Sequence, residues 1–362
     1  MDRGRGLRHG LGSANPYITR MSRDAIGLDI GGANIKAATS GAARTGDAIS
    51  VPFELWRHPE RLAEQLTAIR NRWPDLTTVA VTMTGELCDC FPTKRDGVRH
   101  ILAAVQQVFG DRTLHVWTSA GTLTPPSQFT EDMMLLPAAA NWLALAIYVG
   151  RLAPSGPAIL VDIGSTTTDI IPLMDGQPIP AGRTDWERMR SGELVYTGVR
   201  RTPVCALLGP AVAAEWFATT HDVYVLLGML PPEPQNTSTA DGRPMTSEMA
   251  HARLARMLGG DFEVTPEPAT LELAGQAFGR QRALIGSGIE RVVGRLPGPP
   301  QSVIFSGAGE FLAEYAWDDF ATARDLPPPA LYSLADWDGP TCSEAACARA
   351  LAVLALETAL CS

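Results

Sequence analysis

Two stretches of the sequence place acidic side chains beside short turns rich in glycine and polar groups. Residues 25–38 read AIGLDIGGANIKAA, and residues 159–173 read ILVDIGSTTTDIIPL. In each, an apolar run ends at an aspartate, a small polar turn follows, and a second apolar run begins. Asp29 ends the first run, whereas Asp162 and Asp169 flank the second turn. A strand–turn–strand unit of this kind can present backbone N–H groups to an anion, so the pattern predicts phosphate binding.

Both turns are predicted to bind a diphosphate. Glycine permits positive φ angles and close approach of a ligand, and amide or hydroxyl side chains add hydrogen-bond donors. One such turn alone is typical of an ordinary hairpin, but two in repeated positions favour a shared function. A third glycine turn, in SGAGEF, precedes a predicted helix. The predicted diphosphate-binding residues are Gly31, Gly32, Ala33, Asn34, Gly164, Ser165, Thr166, Thr167, Gly307 and Gly309.

The three aspartates of these units, Asp29, Asp162 and Asp169, would repel a bare phosphate. A Mg²⁺ ion prefers one or two carboxylates together with phosphate oxygens and so resolves the conflict. We therefore predict Mg²⁺ as the cofactor, with the three aspartates as ligands of the ion or of its water; a turn-capping role is an equal alternative for Asp169. The chain contains only two lysines, Lys36 and Lys94. Lys36 is expected to neutralise charge on a leaving diphosphate.

Composition and charge exclude several classes of protein. With a net charge of −9 and no basic stripe, the chain lacks the footprint of a nucleic-acid-binding protein. No apolar run is long enough to span a membrane, and six cysteines in 362 residues do not indicate a disulfide framework. Residues 1–23 lack the apolar core of a secretory signal and are expected to be a disordered leader or a misassigned start. We expect a cytoplasmic protein that acts on small molecules; a homo-oligomer remains open.

The order of predicted elements repeats once along the chain. Three consecutive strands open each half, at 25–30, 33–39 and 48–54 and again at 158–163, 168–173 and 177–181. The duplication predicts an α/β fold with two similar lobes around a cleft. The lobes are placed at 24–152 and 153–362.

Further elements are predicted at the lobe junction and inside the second lobe. A long apolar helix is predicted at 135–151, between the lobes. Residues 183–265 are read as an insertion into the second lobe, with a helix at 204–217 and a strand at 222–228. A final helix is predicted at 343–360.

The three glycine motifs resemble those of the acetate and sugar kinase, Hsp70 and actin superfamily. DIGGANIK is similar to its first phosphate motif, VDIGSTTTDIIP to its second, and VIFSGAGEF to its adenosine motif. The resemblance implies two actin-like, ribonuclease H-like lobes. Within the superfamily, the second motif resembles the hydantoinase/oxoprolinase group.

A narrower resemblance rests on longer segments. It is to a family linked to tetrahydromethanopterin-dependent one-carbon transfer and similar to an enzyme of methanofuran biosynthesis. The segments are VTMTGELCDCFPTKRDGV (81–98), AAANWLALA (138–146), GELVYTGVRRTPVCAL (192–207) and TADGRPMTSEMAHARLARMLGGD (239–261). The resemblance implies a transferase that joins a furan-methyl diphosphate to the phenol oxygen of a tyramine- or tyrosine-type acceptor and releases pyrophosphate.

The charged loop 84–95 holds further candidates for this chemistry, because substrate-contacting residues often lie on loops after strands. Glu86 is the first candidate for taking the phenol proton or holding the furan's ammonium, and Asp89 is the second. Lys94 and Arg95 are candidates for binding the acceptor's carboxylates or the diphosphate. Arg200 and Arg201 are candidate anion contacts and, with Arg95, are assigned to acceptor binding. For each of these residues, an ordinary solvated charge is an equal alternative.

Two other functions remain open at this point. An ATP-dependent kinase or a hydantoinase-like hydrolase would use the same clamp for a nucleotide. A non-catalytic switch would bind a nucleotide without turnover.

Overall fold

The computed structural model describes residues 25–41 and 48–361, and the predicted leader lies outside the described residues. Two mixed β-sheets form the centres of the two lobes. The strands of the first sheet are β1 (Ala25–Ile30), β2 (Asn34–Thr39), β3 (Ala48–Pro52), β4 (Thr78–Met83), β5 (Thr113–Trp117) and β6 (Leu123–Thr124). Those of the second are β7 (Pro157–Ile163), β8 (Thr168–Met174), β9 (Gln177–Pro178), β10 (Leu194–Val195), β11 (Ser302–Ser306) and β12 (Ala330–Ser333).

The two sheets share one strand topology. The first has the order β3-β2-β1-β4-β5-β6, and the second has β10-β8-β7-β11-β12, with β9 also paired to β8. In each, the first strand is antiparallel to the second and parallel to the strand on its other side: β1 to β4, and β7 to β11. The predicted duplication and the predicted fold of two actin-like α/β lobes are therefore confirmed.

Twelve α-helices cover the sheets within the described ranges. They are α1 (Leu62–Arg70), α2 (Lys94–Phe109), α3 (Asn141–Val149), α4 (Asp185–Ser191), α5 (Val204–Leu208), α6 (Thr220–Leu226), α7 (Ser247–Met257), α8 (Glu267–Val293), α9 (Glu310–Ala323), α10 (Leu334–Asp338), α11 (Pro340–Glu344) and α12 (Ala346–Cys361). None of the helices in this part of the chain has both the length and the apolar character that a membrane crossing requires.

Helices α3 and α12 form a shared core between the lobes. Apolar residues of both helices pack with residues from β1, β4, β7 and β8 in one buried cluster. The close fit depends on small residues: a Cβ on Gly27 of β1 would overlap the backbone of Ala348 in α12. The last helix thus returns to pack on the first sheet.

Several predicted elements differ from the structure for local reasons. The junction helix begins at Asn141 rather than at 135, because Ala139 has a φ of 47° and breaks the helical path. The helix predicted at 204–217 ends at Leu208, before Gly209 with its φ of 56°. The predicted strand at 222–228 is wrong: residues 222–226 belong to α6, which Thr219 and Asp222 cap reciprocally.

Candidate functional site

The two turns line one cavity between the lobes, with a volume of about 640 Å³. This volume is in the range of small-molecule sites. The lining includes all the predicted aspartates, both predicted glycine turns and Lys36. These are Asp29, Gly31, Gly32, Ala33, Asn34, Lys36, Asp162, Gly164, Ser165, Thr166, Thr167 and Asp169. The structure therefore brings together most of the site predicted from the sequence.

The two turns are closed by the same hydrogen bond. The N–H of Gly31 donates to Asn34 O at 3.0 Å, and the N–H of Gly164 donates to Thr167 O at 2.9 Å. Each turn also contains two N–H groups that donate to no acceptor among the described residues. They belong to Gly32 and Ala33 in the first turn and to Ser165 and Thr166 in the second. Such free N–H groups at a cavity wall can bind an anion.

The expected positive φ angles at Gly31, Gly32 and Gly164 are not observed. The requirement for glycine at position 32 is close packing instead, since a Cβ there would lie 2.7 Å from the Sγ of Cys88. At Gly164 the nearest atom to an added Cβ is the Thr167 carbonyl oxygen at 3.7 Å, which is ordinary van der Waals contact. The predicted positive φ is therefore wrong at these three positions, whereas close approach of a ligand stays a prediction.

The strand pairing fixes the charged residues opposite one another. Asp29 of β1 is paired with Lys36 of β2, and Asp162 of β7 is paired with Asp169 of β8. The duplicated units thus carry a lysine in one lobe where they carry an aspartate in the other. As a result, three carboxylates and the Lys36 ammonium line one cavity.

Burial raises the pKa values of all three aspartates. For Asp29, Lys36 and the Asn141 amide oppose the effect of burial. For Asp162, burial together with the charge of Asp169 raises the pKa to about 6, although Ser306 donates a hydrogen bond to its Oδ1. Burial also raises the pKa of Asp169, and the Arg188 guanidinium opposes it. Their mutual repulsion makes the group a favourable place for a cation.

A buried arginine that was not predicted, Arg188, lines the cavity together with Asp169. Arg188 Nη2 donates to Asp169 Oδ1 at 2.7 Å and to Glu193 O at 3.1 Å. Its guanidinium also lies 4.2 Å from the centroid of the Trp142 ring, across the junction between α4 and α3. Arg188 therefore orients Asp169 and joins the second lobe to the junction helix.

Asn141 begins α3 and faces the cleft. Its Nδ2 donates to Asp29 Oδ2 at 3.4 Å, and its Oδ1 accepts from the N–H of Trp142 at 2.8 Å. Ala139, two residues earlier, also lines the cavity and has a φ of 47°. The left-handed backbone at a non-glycine residue is a local strain of the kind that occurs at binding sites.

Gly198 packs against the backbone of the second turn, a contact that was also not predicted from the sequence. A Cβ at this residue would lie 2.5 Å from the backbone nitrogen of Thr166. The Gly198 carbonyl accepts hydrogen bonds from Thr220 Oγ1 at 2.8 Å and from Gln281 Nε2 at 2.9 Å. The segment VYTGVRR therefore packs on the turn 164–167 and fixes its shape.

The four candidates of loop 84–95 have different surroundings. Asp89 lines the cavity. Glu86 does not; its carboxylate is buried, and burial raises its pKa to about 7. Lys94 Nζ lies 3.6 Å from Asp185 Oδ2 in an ion pair between the lobes. Arg95 lies outside the cavity and donates to the backbone carbonyl of Glu131.

Of the two adjacent arginines, Arg201 lines the cavity and Arg200 does not. Arg200 Nη1 donates to Glu233 Oε1 at 2.7 Å and lies 3.2 Å from His221 Nε2. The backbone N–H of Arg201 donates to Ser165 O at 3.0 Å, which places this residue beside the second turn. Only Arg201 of the pair is positioned to contact a ligand in this cavity.

The third glycine turn packs against the end of β7 rather than lining the cavity. At Gly307, with a φ of 90°, an added Cβ would overlap the carbonyl of Ile163. At Gly309 it would lie 2.6 Å from the Ile163 side chain. These contacts account for both glycines through packing, and their predicted role in diphosphate binding remains a prediction.

The surroundings of the three aspartates bear on the Mg²⁺ ion expected from the sequence, which stays a prediction. No donor among the described residues contacts the buried Oδ1 of Asp29, so this oxygen is available to a cation. In the same part of the chain, no group of three or more His, Cys, Asp or Glu side chains is arranged to hold a metal ion. An ion held here would therefore need its remaining ligands from phosphate oxygens and water.

Comparisons with known proteins identify the family. Residues 77–330, more than half of the chain, match the model of the hydantoinase/oxoprolinase family. The chain belongs to this family. The predicted resemblance to the hydantoinase/oxoprolinase group is thus confirmed.

Two curated relatives of this hydantoinase/oxoprolinase chain have the same name. A (4-{4-[2-(gamma-L-glutamylamino)ethyl]phenoxymethyl}furan-2-yl)methanamine synthase from Methanocaldococcus jannaschii is 31% identical over 306 residues, which cover 82% of this chain and 89% of the relative. The Methanococcus vannielii protein of that name is 28% identical over 176 residues, which cover 46% of this chain and 78% of the relative. Among solved structures, a nucleotide-free acetone carboxylase covers 91% of this chain and 70% of its own, with a TM-score of 0.51 and 10% identity. That similarity concerns the fold.

Proposed function

We propose that this chain is a transferase of methanofuran or methylofuran biosynthesis that supports tetrahydromethanopterin-linked one-carbon metabolism. It joins an (aminomethyl)furan-methyl diphosphate to the phenol oxygen of a tyramine- or tyrosine-type acceptor and releases pyrophosphate. The observation that carries the proposal is that two turns with free N–H groups and three carboxylates line one cavity. The name of the 31% identical relative supports the same chemistry, because its product contains a phenoxymethylfuran ether.

The reaction is a displacement at the furan-methyl carbon. The phenol oxygen forms a bond to that carbon, and the bond from the carbon to the diphosphate oxygen breaks with its electron pair leaving on pyrophosphate. The free N–H groups of the two turns hold the diphosphate, and Lys36 offsets the charge that develops on it. Donors positioned in this way before the reaction lower the barrier because they stabilise charge that is largest in the transition state.

Asp29 and Asp162 are the residues that would hold Mg²⁺, with Asp169 held beside them by Arg188. When bound, the ion would supply electrostatic stabilisation of the departing diphosphate. Without a cation, the negative charges of these aspartates would oppose diphosphate binding.

The phenol must lose a proton as the ether forms. Asp89 is the carboxylate of loop 84–95 that lines the cavity, so we assign the proton to this residue. Glu86, the first candidate from the sequence, lies buried outside the lining. In this proposal Glu86 does not contact the acceptor.

The test is release of pyrophosphate from purified protein supplied with Mg²⁺, a furan-methyl diphosphate and a γ-glutamyl-tyramine acceptor. Asp162→Ala should abolish release. Asp111→Ala, a matched carboxylate change at an exposed ion pair with Arg70, should leave it unchanged. Consumption of ATP with the same phenol, in place of pyrophosphate release from the furan diphosphate, would refute the proposal and support a kinase.

A further inference from the structure

Large apolar side chains line the cavity but remain open to solvent. Tyr196 is 62% exposed, Trp216 is 58% exposed and Leu87 is 54% exposed, and all three belong to the cavity wall together with the partly buried Trp56. Two of the four come from each lobe. Exposed aromatic rings in a cleft lose water favourably when a flat apolar ligand covers them, so the wall suits an aromatic ligand.

The residue that follows Tyr196 is held firmly by hydrogen bonds. The Thr197 carbonyl accepts from Thr168 Oγ1 at 2.8 Å, and the Thr197 hydroxyl accepts from Gln281 Nε2 at 2.8 Å. In contrast, the Tyr196 side chain makes no hydrogen bond to any described residue. The ring is thus presented to the cavity by a rigid support and has no structural partner of its own.

Trp216 is presented in a similar way. It lies in the loop between α5 and α6, whose ends are fixed by hydrogen bonds from Ala213 N to Met257 O at 2.9 Å and from Val204 N to Ala218 O at 3.0 Å. The adjacent Phe217 packs against the core of the second lobe. The loop is therefore anchored on one side while the Trp216 ring faces the cavity.

A positive charge lines the same cavity. Arg201 forms no ion pair with any residue in the described part of the chain, although the protein has a net charge of −9. An unpaired arginine beside aromatic rings favours a ligand that combines a flat ring with an anionic group.

We infer that Tyr196 and Trp216 form the binding platform for the aromatic ring of the acceptor, and that Arg201 receives the acceptor's carboxylate. This inference rests on the proposed function and assigns its second substrate to a particular wall of the cavity. An acceptor such as γ-glutamyl-tyramine or tyrosine fits this wall because it carries both a ring and a carboxylate. The donor's charge is its diphosphate, for which the two turns offer free N–H groups. The platform therefore determines specificity for phenols over aliphatic alcohols.

The first measurement is the Kd of γ-glutamyl-tyramine by calorimetry, without the donor, together with the KM of each substrate in the pyrophosphate assay. Tyr196→Ala and Trp216→Ala should each raise the acceptor Kd and KM at least tenfold and change the donor KM less than twofold. Trp216→Phe should restore binding to within about threefold, because it keeps an aromatic face. Trp186→Ala removes a tryptophan that is 65% exposed but outside the cavity, and serves as the matched control.

Arg201→Gln tests the second half of the inference. It should remove the preference for γ-glutamyl-tyramine over tyramine, which lacks the carboxylate. An unchanged preference, or a rise in the donor KM alone, would overturn this role and indicate that Arg201 holds the diphosphate.

The outcomes separate the inference from the proposed function. Acceptor binding that depends on Tyr196 and Trp216 without any pyrophosphate release would support the platform and refute the transferase. Turnover with acceptor constants unchanged in folded alanine variants would refute the platform and keep the transferase. Absence of acceptor binding to the unaltered chain would refute the platform.

Discussion

The substitution Glu86→Gln should stabilise the protein at alkaline pH. The Glu86 carboxylate is buried, and its Oε2 has no hydrogen-bond partner among the described residues. Burial raises its pKa from an ordinary 4.5 to about 7. Between these values the folded state binds more protons than the unfolded state, so the free energy of unfolding falls as pH rises and levels off above the folded pKa.

This pKa shift corresponds to a loss of about 3 kcal/mol in the free energy of unfolding. Roughly 2–3 kcal/mol of that loss should occur between pH 5 and pH 8. Neutral glutamine avoids this loss because it has no charge to bury. Urea unfolding of both proteins, followed by tryptophan fluorescence at a series of pH values, measures the difference. The difference in unfolding free energy between Glu86→Gln and the unaltered protein should increase, in favour of Glu86→Gln, as pH rises.

The matched control is Asp89→Asn, which removes a carboxylate from the same loop at an exposed position. It should leave the pH dependence of the unfolding free energy unchanged. A gap that stays constant from pH 5 to pH 8 for Glu86→Gln would show that Glu86 is not held as a buried, weakly ionised acid. A fall in kcat for Glu86→Gln with no loss for Asp89→Asn would return the role of proton acceptor to Glu86.

Two further substitutions test the support of the site. Arg188→Met should lower the free energy of unfolding by about 3–5 kcal/mol because it leaves the Asp169 charge without its partner, and adding Asp169→Asn should recover most of the loss in urea unfolding. Gly198→Ala should lower the free energy of unfolding by about 1–3 kcal/mol and raise the donor KM, because the added Cβ displaces the second turn. The control Gly275→Ala should be neutral or stabilising, because this position is helical and no atom lies within 4 Å of the added Cβ.

The features predicted correctly from the sequence are those encoded by local patterns that occur twice. An apolar strand, an aspartate and a glycine turn predict the same unit at 25–39 and at 158–173, and the structure has both. Since duplicated units occupy equivalent places in two sheets, their side chains could be expected in one cleft. The cavity lining follows this expectation.

The helix that was predicted as a strand at 222–228 shows the limit of local patterns. The sequence of residues 222–228, DVYVLLG, contains β-branched and aromatic residues, which favour strands. The capping box of Thr219 and Asp222 and packing on the second-lobe core override that preference. The cap is visible in the sequence, so it is the signal that could have corrected the prediction.

The contacts of Arg188 and Gly198 could not be read from the sequence. Arg188 meets Asp169 nineteen positions away and Trp142 across the lobe junction, and Gly198 is required by the backbone of a turn more than thirty residues earlier. Each depends on the final packing of distant segments. The long segment that contains Gly198 contributed to the family resemblance, but resemblance alone did not indicate which of its residues supports the site.

The duplicated units differ in charge at one paired position, so the two sides of the cleft carry different charges. Asp29 is opposite Lys36 in the first lobe, whereas Asp162 is opposite Asp169 in the second. Two identical acidic units would attract a cation but would offer no positive side chain to a departing diphosphate. With a lysine in the first unit and a carboxylate pair in the second, one wall can stabilise released negative charge while the other attracts the cation. Under the proposed function, this asymmetry converts a repeated anion-binding unit into a site that favours departure of pyrophosphate over simple retention of the donor.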